Sequence, residues 1–430
     1  METTKGQEKP GNSGELRGTR SSVLIPYAYS VYWRVALACF ALAGLTGSLY
    51  RFGLVLGLPW ELELTNVRHA HSHLMYFSWV TPALMALMAA RLPDLLPAGW
   101  AVPARRFHWP IIGALLLGLA AYPFFLLFGY QSVAIGSAQL PLAAIIGSLN
   151  TFAWYGFVWM YFKTTRKAPR VLPLRLWDGA VVMLVLSSLG GWGVVAVTRL
   201  GIESLFATQA FTHLFLDLFA DGWFVLGVLG LAYVSRPELS RFAAAKYADT
   251  FLVIGLPLSF LLTVPVALVP PVVRVIAGLS GLLVGIGLAL NTWLLWPRRH
   301  REQPRRWSLW SLPLVFLALR TLAEIGIALP VAAQWAERMS LRLSYLHWLL
   351  LGFVTLGLVA AANELPSFPR FKNWRAFSFG VVLNILSLIP LTRLWPASLS
   401  GIWAVWFAAA MTLVPVAVML GELMRTYKNS

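Results

Sequence analysis

Twelve apolar runs, each about the length needed to cross a bilayer, leave this chain few ways to fold. They fall near residues 33–57, 67–90, 108–129, 136–162, 177–198, 205–234, 249–270, 272–296, 308–330, 341–362, 374–392 and 400–424. With 58% hydrophobic residues, 12% charged residues and a mean hydropathy of +0.70, there is far more apolar surface than a water-soluble core can hide. The expected fold is all-α: a polytopic membrane protein of twelve transmembrane helices whose first partner is the lipid bilayer. Pro82, Pro123, Pro141, Pro257, Pro265 and Pro313 mark places where those helices bend or stop. The 20 tryptophans agree, because amphipathic rings favour the membrane interface.

The net charge of +17 does not point to nucleic acid, since the basic residues are dealt out among short loops. All but eight of the 34 lysines and arginines fall on the side of the termini; the exceptions are Arg51, Arg68, Arg199, Arg274, Arg320, Arg338, Arg342 and Arg393. That bias predicts cytoplasmic termini in a bacterial-type inner membrane. Met1–Pro26 is polar and lacks the apolar core of a signal peptide, so it reads as a disordered cytoplasmic tail before a single transmembrane domain, 27–430. The lone Cys39 has no second thiol and reads as a small buried apolar residue. No Gly-rich phosphate loop and no Ser/His/Asp spacing is present, which argues against soluble-enzyme chemistry.

Three of the seven histidines open helix 2, in Arg68-His69-Ala70-His71-Ser72-His73. On a helix His69 and His73 share a face and His71 points nearly the opposite way, so either His71 looks inward or the other pair does. With termini inside, helices 2, 6 and 10 all run inward. His71, His213 and His347 then lie at one depth, roughly 6–12 Å below the outer boundary. Ionisable groups inside a bilayer usually mark function. Imidazoles from two helices can clamp a haem iron within an apolar bundle. Arg68, Arg338, Arg342 and Arg393 on the outer side would suit its propionates, and would equally serve as interfacial anchors. Arg320 and Glu324, four residues apart at mid-bilayer, would each cost ~2.5–3.5 kcal/mol unpaired. They are expected to pair with one another or with the helix 6 acids.

Arg68-His69-Ala70-His71-Ser72-His73-Leu74 resembles the R-x-x-H-[S/T]-x-L opening of helix 2 in the catalytic subunit of the haem–copper oxidase superfamily. His213 with Asp217 and Asp221 is similar to the H-L-W-V-E-G-x-x-E of its nitric-oxide-reductase branch, with Glu shortened to Asp. Tyr345-Leu346-His347 with Gly352 resembles its H-x-H-x-x-x-x-G on helix 10. The resemblance implies a subunit I-like bundle in which His71 and His347 hold one low-spin b-type haem, with a cytochrome or other redox-partner subunit alongside. It also implies a second centre, of which His213 and Asp217 are the surviving ligands. Tyr345 stands where the second haem's imidazole would be, and the 249–296 segment contains no histidine. The expectation is therefore electron transfer or gas sensing at one haem, with no second haem or extra metal. The alternatives are a haem-free transporter or assembly factor, and a reductase in which Tyr345 ligates a second haem.

Overall fold

The computed structural model describes residues 15–97, 100, 102, 104–296 and 304–428, with side chains beginning at Tyr29 in the first helix. Residues 1–14 of the expected tail lie outside it, and the backbone of helix 1 is already helical from Glu15. Extending a helix backward from a packed span costs little once the nucleus exists.

Twelve helices are long and apolar enough to cross a membrane. They are helix 1 (Tyr29–Leu56), helix 2 (Leu64–Leu95), helix 3 (Arg105–Phe128), helix 4 (Leu142–Thr165), helix 5 (Leu172–Arg199) and helix 6 (Leu205–Val234), followed by helix 7 (Ala243–Leu262), helix 8 (Pro271–Leu295), helix 9 (Leu309–Ile327), helix 10 (Arg342–Asn363), helix 11 (Trp374–Leu391) and helix 12 (Ile402–Tyr427). The chain is an all-α integral membrane protein. Helix 7 stops earlier than its apolar run because Pro265, Pro270 and Pro271 cannot donate the backbone bonds that would continue it. The strands among the described residues form one exposed hairpin between helices 3 and 4, pairing Val133–Ile135 with Ala138–Leu140 around Gly136 at φ 60°.

Helices 2, 6 and 10 form the axis. Their apolar windows are 89%, 78% and 72% buried, against 33–56% for the other nine, and each packs on the other two. Around them runs a ring in which helix 1 meets 12 and 3, helix 3 meets 4, 4 meets 5, 5 meets 7, 7 meets 8, 8 meets 9, and 11 meets 12. Their lipid-facing surface explains the many exposed large apolar side chains.

Each central helix is interrupted by a π-helical stretch: Leu74–Val80, Leu218–Phe224 and Trp348–Thr355. In helix 2 the cause is local, because Pro82 has no N–H to give the preceding turn and the wider turn relieves its ring. The stretches aim polar groups between the central helices. Trp79 Nε1 donates to Thr355 Oγ1 at 3.1 Å, and Trp223 Nε1 to Thr81 Oγ1 at 3.3 Å.

The far ends of the same three helices are tied together. Arg91, Ser235 with Arg236, and Glu364 each precede a proline by one or two residues, where a helix cannot continue. The buried Glu364 carboxylate takes Arg91 at 3.6 Å, Arg236 at 3.8 Å, the Ser235 hydroxyl, and Trp310 Nε1 at 3.0 Å. Burial pushes the Arg236 guanidinium below its ordinary pKa, and the Glu364 and Glu238 carboxylates oppose that shift.

Candidate functional site

The opposite end of the axis, where helices 2, 6 and 10 begin, holds the histidines. The three on helix 2 divide by face. His73 lies flat on Phe125, with ring centroids 3.7 Å apart, and its Nε2 is 2.8 Å from the Tyr130 hydroxyl. His69 stands edge-on to Tyr130 at 4.9 Å. Both therefore serve the loop that follows helix 3. Asn66, one turn earlier on that face, holds the end of helix 3 just before that loop through the Leu127 carbonyl at 3.3 Å.

His71 turns the other way, into helix 1. Its Nδ1 is 2.7 Å from the Ala43 carbonyl oxygen, so Nδ1 carries the proton and donates. Gly47 makes this fit possible, because a Cβ there would sit 2.9 Å from the imidazole. Nε2 of His71 has no hydrogen-bond partner among the described residues.

His347, on helix 10, repeats the arrangement. Its Nδ1 donates to the Leu343 carbonyl at 2.8 Å, and its Nε2 faces Arg51 Nη2 at 3.5 Å, which is too long for a good hydrogen bond. Both rings are only half-buried although they lie within their spans, so each borders open space. Arg51 stands beside the His347 ring. An imidazole with Nδ1 fixed by a carbonyl and Nε2 uncommitted is what a metal-ligating histidine needs, since the outer bond sets the tautomer and the ring orientation. His71 and His347 thus share the local arrangement of ligating histidines, with the Arg51 guanidinium standing at the His347 Nε2.

His213 does not fit a metal. Its Nδ1 donates to Asp217 at 3.0 Å, and its Nε2 accepts from Arg342 Nη1 at 2.9 Å. The Thr263 hydroxyl lies 2.6 Å from Nδ1 and bonds to Asp217 as well. A divalent ion would have to displace a guanidinium and would then find two ligands, and no cluster of three metal-binding acids, histidines or cysteines exists among the described residues.

A second polar group continues from there into the bundle. Arg320, 2% exposed, donates from Nε to Asp221 at 2.9 Å and from Nη1 to Glu324 at 2.6 Å. It pairs with both expected partners at once. Tyr345 directs its hydroxyl to Asp221 at 3.4 Å and lies under the Arg320 guanidinium, 5.3 Å away. The phenol thus faces Asp221 of helix 6 through a long contact. Glu324 keeps one carboxylate oxygen buried without a partner, facing Gly281.

Arg68 and Arg393, expected beside the imidazoles, are both exposed on the rim. Residue counting missed Arg51, which is 6% exposed within helix 1. The available signal was its position: a lone cation inside an apolar run rather than in a loop. What fold and site define together is a twelve-helix membrane protein with two anchored imidazoles and a buried cation at one end of its axis. No protein-family model matches the chain, and no curated protein matches it.

Proposed function

We propose that the chain is a membrane haem protein in which His71 and His347 hold one low-spin b-type haem for electron transfer or gas sensing. The observation that supports this reading is the matched pair of imidazoles on helices 2 and 10, each with Nδ1 held on a backbone carbonyl. The haem would supply a reversible one-electron change. The protein's part is to fix both rings before the ligand arrives, which lowers the entropic cost of binding. The imidazoles sit near one end of the axis, so a redox partner would dock there, and the distribution of basic residues favours that end lying outside, with both termini cytoplasmic in an inner membrane.

The test is a reduced-minus-oxidised spectrum and a haem-to-protein ratio on protein purified from haem-replete cells. Bis-imidazole bands at about one haem per chain, unmoved by carbon monoxide, are the expected result. A carbon monoxide shift would mean an open-sided haem and reductase chemistry. Protein free of haem would leave the second reading, a transporter or assembly factor. The buried Asp217, Asp221, Arg320 and Glu324 set favours that reading, because such groups line polar pathways in membranes.

A further inference from the structure

Helices 8 and 9 form a seam that is closed at one end and open at the other. At the closed end glycines let the two backbones approach: a Cβ at Gly278 would sit 3.0 Å from the Ala328 carbonyl oxygen, and one at Gly285 would sit 2.5 Å from the Ile325 side chain. The stripe continues at helical spacing through Ala289, Thr292 and Trp296. There it no longer meets its partner. Ala289, Thr292 and Trp296 on one side and Ala318, Thr321 and Leu322 on the other bound a cleft of about 470 Å³. Packed proteins leave few voids larger than a water molecule, so a space of this size between neighbouring helices is a binding volume.

The wall selects what can fill it. Thr292 donates its hydroxyl to the Leu288 carbonyl at 2.8 Å and Thr321 to the Leu317 carbonyl at 2.9 Å, so both protons are spent on their own helices. Ordered water is poorly held on such a wall, because it needs about two to four polar partners. Leu322 is 67% exposed and Trp293 is 55% exposed, so the cleft opens on the lipid-facing surface. Its occupant is therefore an alkyl chain from the bilayer. The charge next to it selects the headgroup. Residues 297–306, which connect the same two helices beyond Trp296, carry Arg298, Arg299, Arg301, Arg305 and Arg306 against one acid, Glu302. A basic connection at the membrane surface attracts anionic lipid.

We infer that the cleft between helices 8 and 9 holds one acyl chain of an anionic phospholipid, whose headgroup lies at the level of Trp296. An indole at that position suits the boundary between chain and headgroup. The bound chain completes the seam that the glycines begin and keeps helix 9, with Arg320 and Glu324, against helix 8. The inference does not rest on the haem reading.

The experiment is native mass spectrometry of the full chain, released from micelles that contain phosphatidylglycerol and phosphatidylcholine of the same chain length in equal amounts. Wild type should retain one phospholipid and prefer phosphatidylglycerol by about fivefold for each arginine that meets the headgroup. Ala318→Phe should fill the cleft and lose the retained lipid. Leu319→Phe, one position on and outside the cleft, should keep it. Equal retention of the two lipids by wild type overturns the inference, and that comparison needs no variant to fold. Equal retention of phosphatidylglycerol by wild type and Ala318→Phe overturns it as well.

Discussion

Replacing Arg320 by methionine separates a structural ion cluster from a functional one. The side chain is 2% exposed and its two partners, Asp221 and Glu324, are nearly as buried. Removing it strands two carboxylates in a low-dielectric interior, and Glu324 already has one unpartnered oxygen. Breaking a buried pair from one side costs about 3–5 kcal/mol. The Tyr345 hydroxyl at 3.4 Å from Asp221 is too weak a donor to compensate. Removing all three charges together, in Asp221→Asn/Arg320→Met/Glu324→Gln, should return stability to within about 1 kcal/mol of wild type, because the desolvation penalty disappears with the attraction. Unfolding in detergent, followed by tryptophan fluorescence against denaturant, measures both variants. A triple variant as unstable as Arg320→Met, or a single variant costing under about 1 kcal/mol, would refute the electrostatic argument. A stable triple variant that has lost a cellular activity would assign the cluster a role beyond holding helices 6 and 9 together.

Glu364→Ala should lower stability by about 3–5 kcal/mol, because it leaves Arg91 and Arg236 facing one another across the far end of the axis; denaturant unfolding checks this. His71→Ala should abolish haem retention, whereas His69→Ala/His73→Ala should keep it and loosen only the loop at Tyr130, with haem-to-protein ratios as the readout. Haem lost only from the double variant would mean that the wrong face of helix 2 had been chosen. With Gln131→Cys and Lys167→Cys, an impermeant thiol reagent on intact cells should label the first and spare the second; the reverse pattern would invert the orientation.

The number of spans was legible in the sequence because hydropathy reports burial in lipid directly, and the division of helix 2 into a His71 face and a His69/His73 face follows from helical period alone. The pairing of Arg320 with Glu324 was legible for the same reason, being set by a four-residue spacing. What periodicity does not carry is which distant helix supplies a partner. Thr263 on His213, Arg342 on the same ring and Glu364 across three helix ends join residues up to 273 positions apart in the chain (91 to 364). Arg51 stands in the sequence as a lone cation within an apolar run, but its neutral partners on helices 11 and 12 do not show there.

The π-helical stretches explain why one end of the axis can be a site while the other is a clasp. An α-helix keeps one face toward its neighbours, but a π turn adds a residue and rotates everything beyond it by roughly one residue's angle. In helices 2 and 10 the stretch begins at Leu74 and Trp348, just after His71 and His347. Before it, the helices turn His71 toward helix 1 and His347 toward Arg51. Beyond it, they turn Trp79 and Thr355 toward one another. The same helix can thus aim an imidazole at one neighbour at one level and close against another partner one or two turns later. A continuous α-helix would force one of those two contacts off its face.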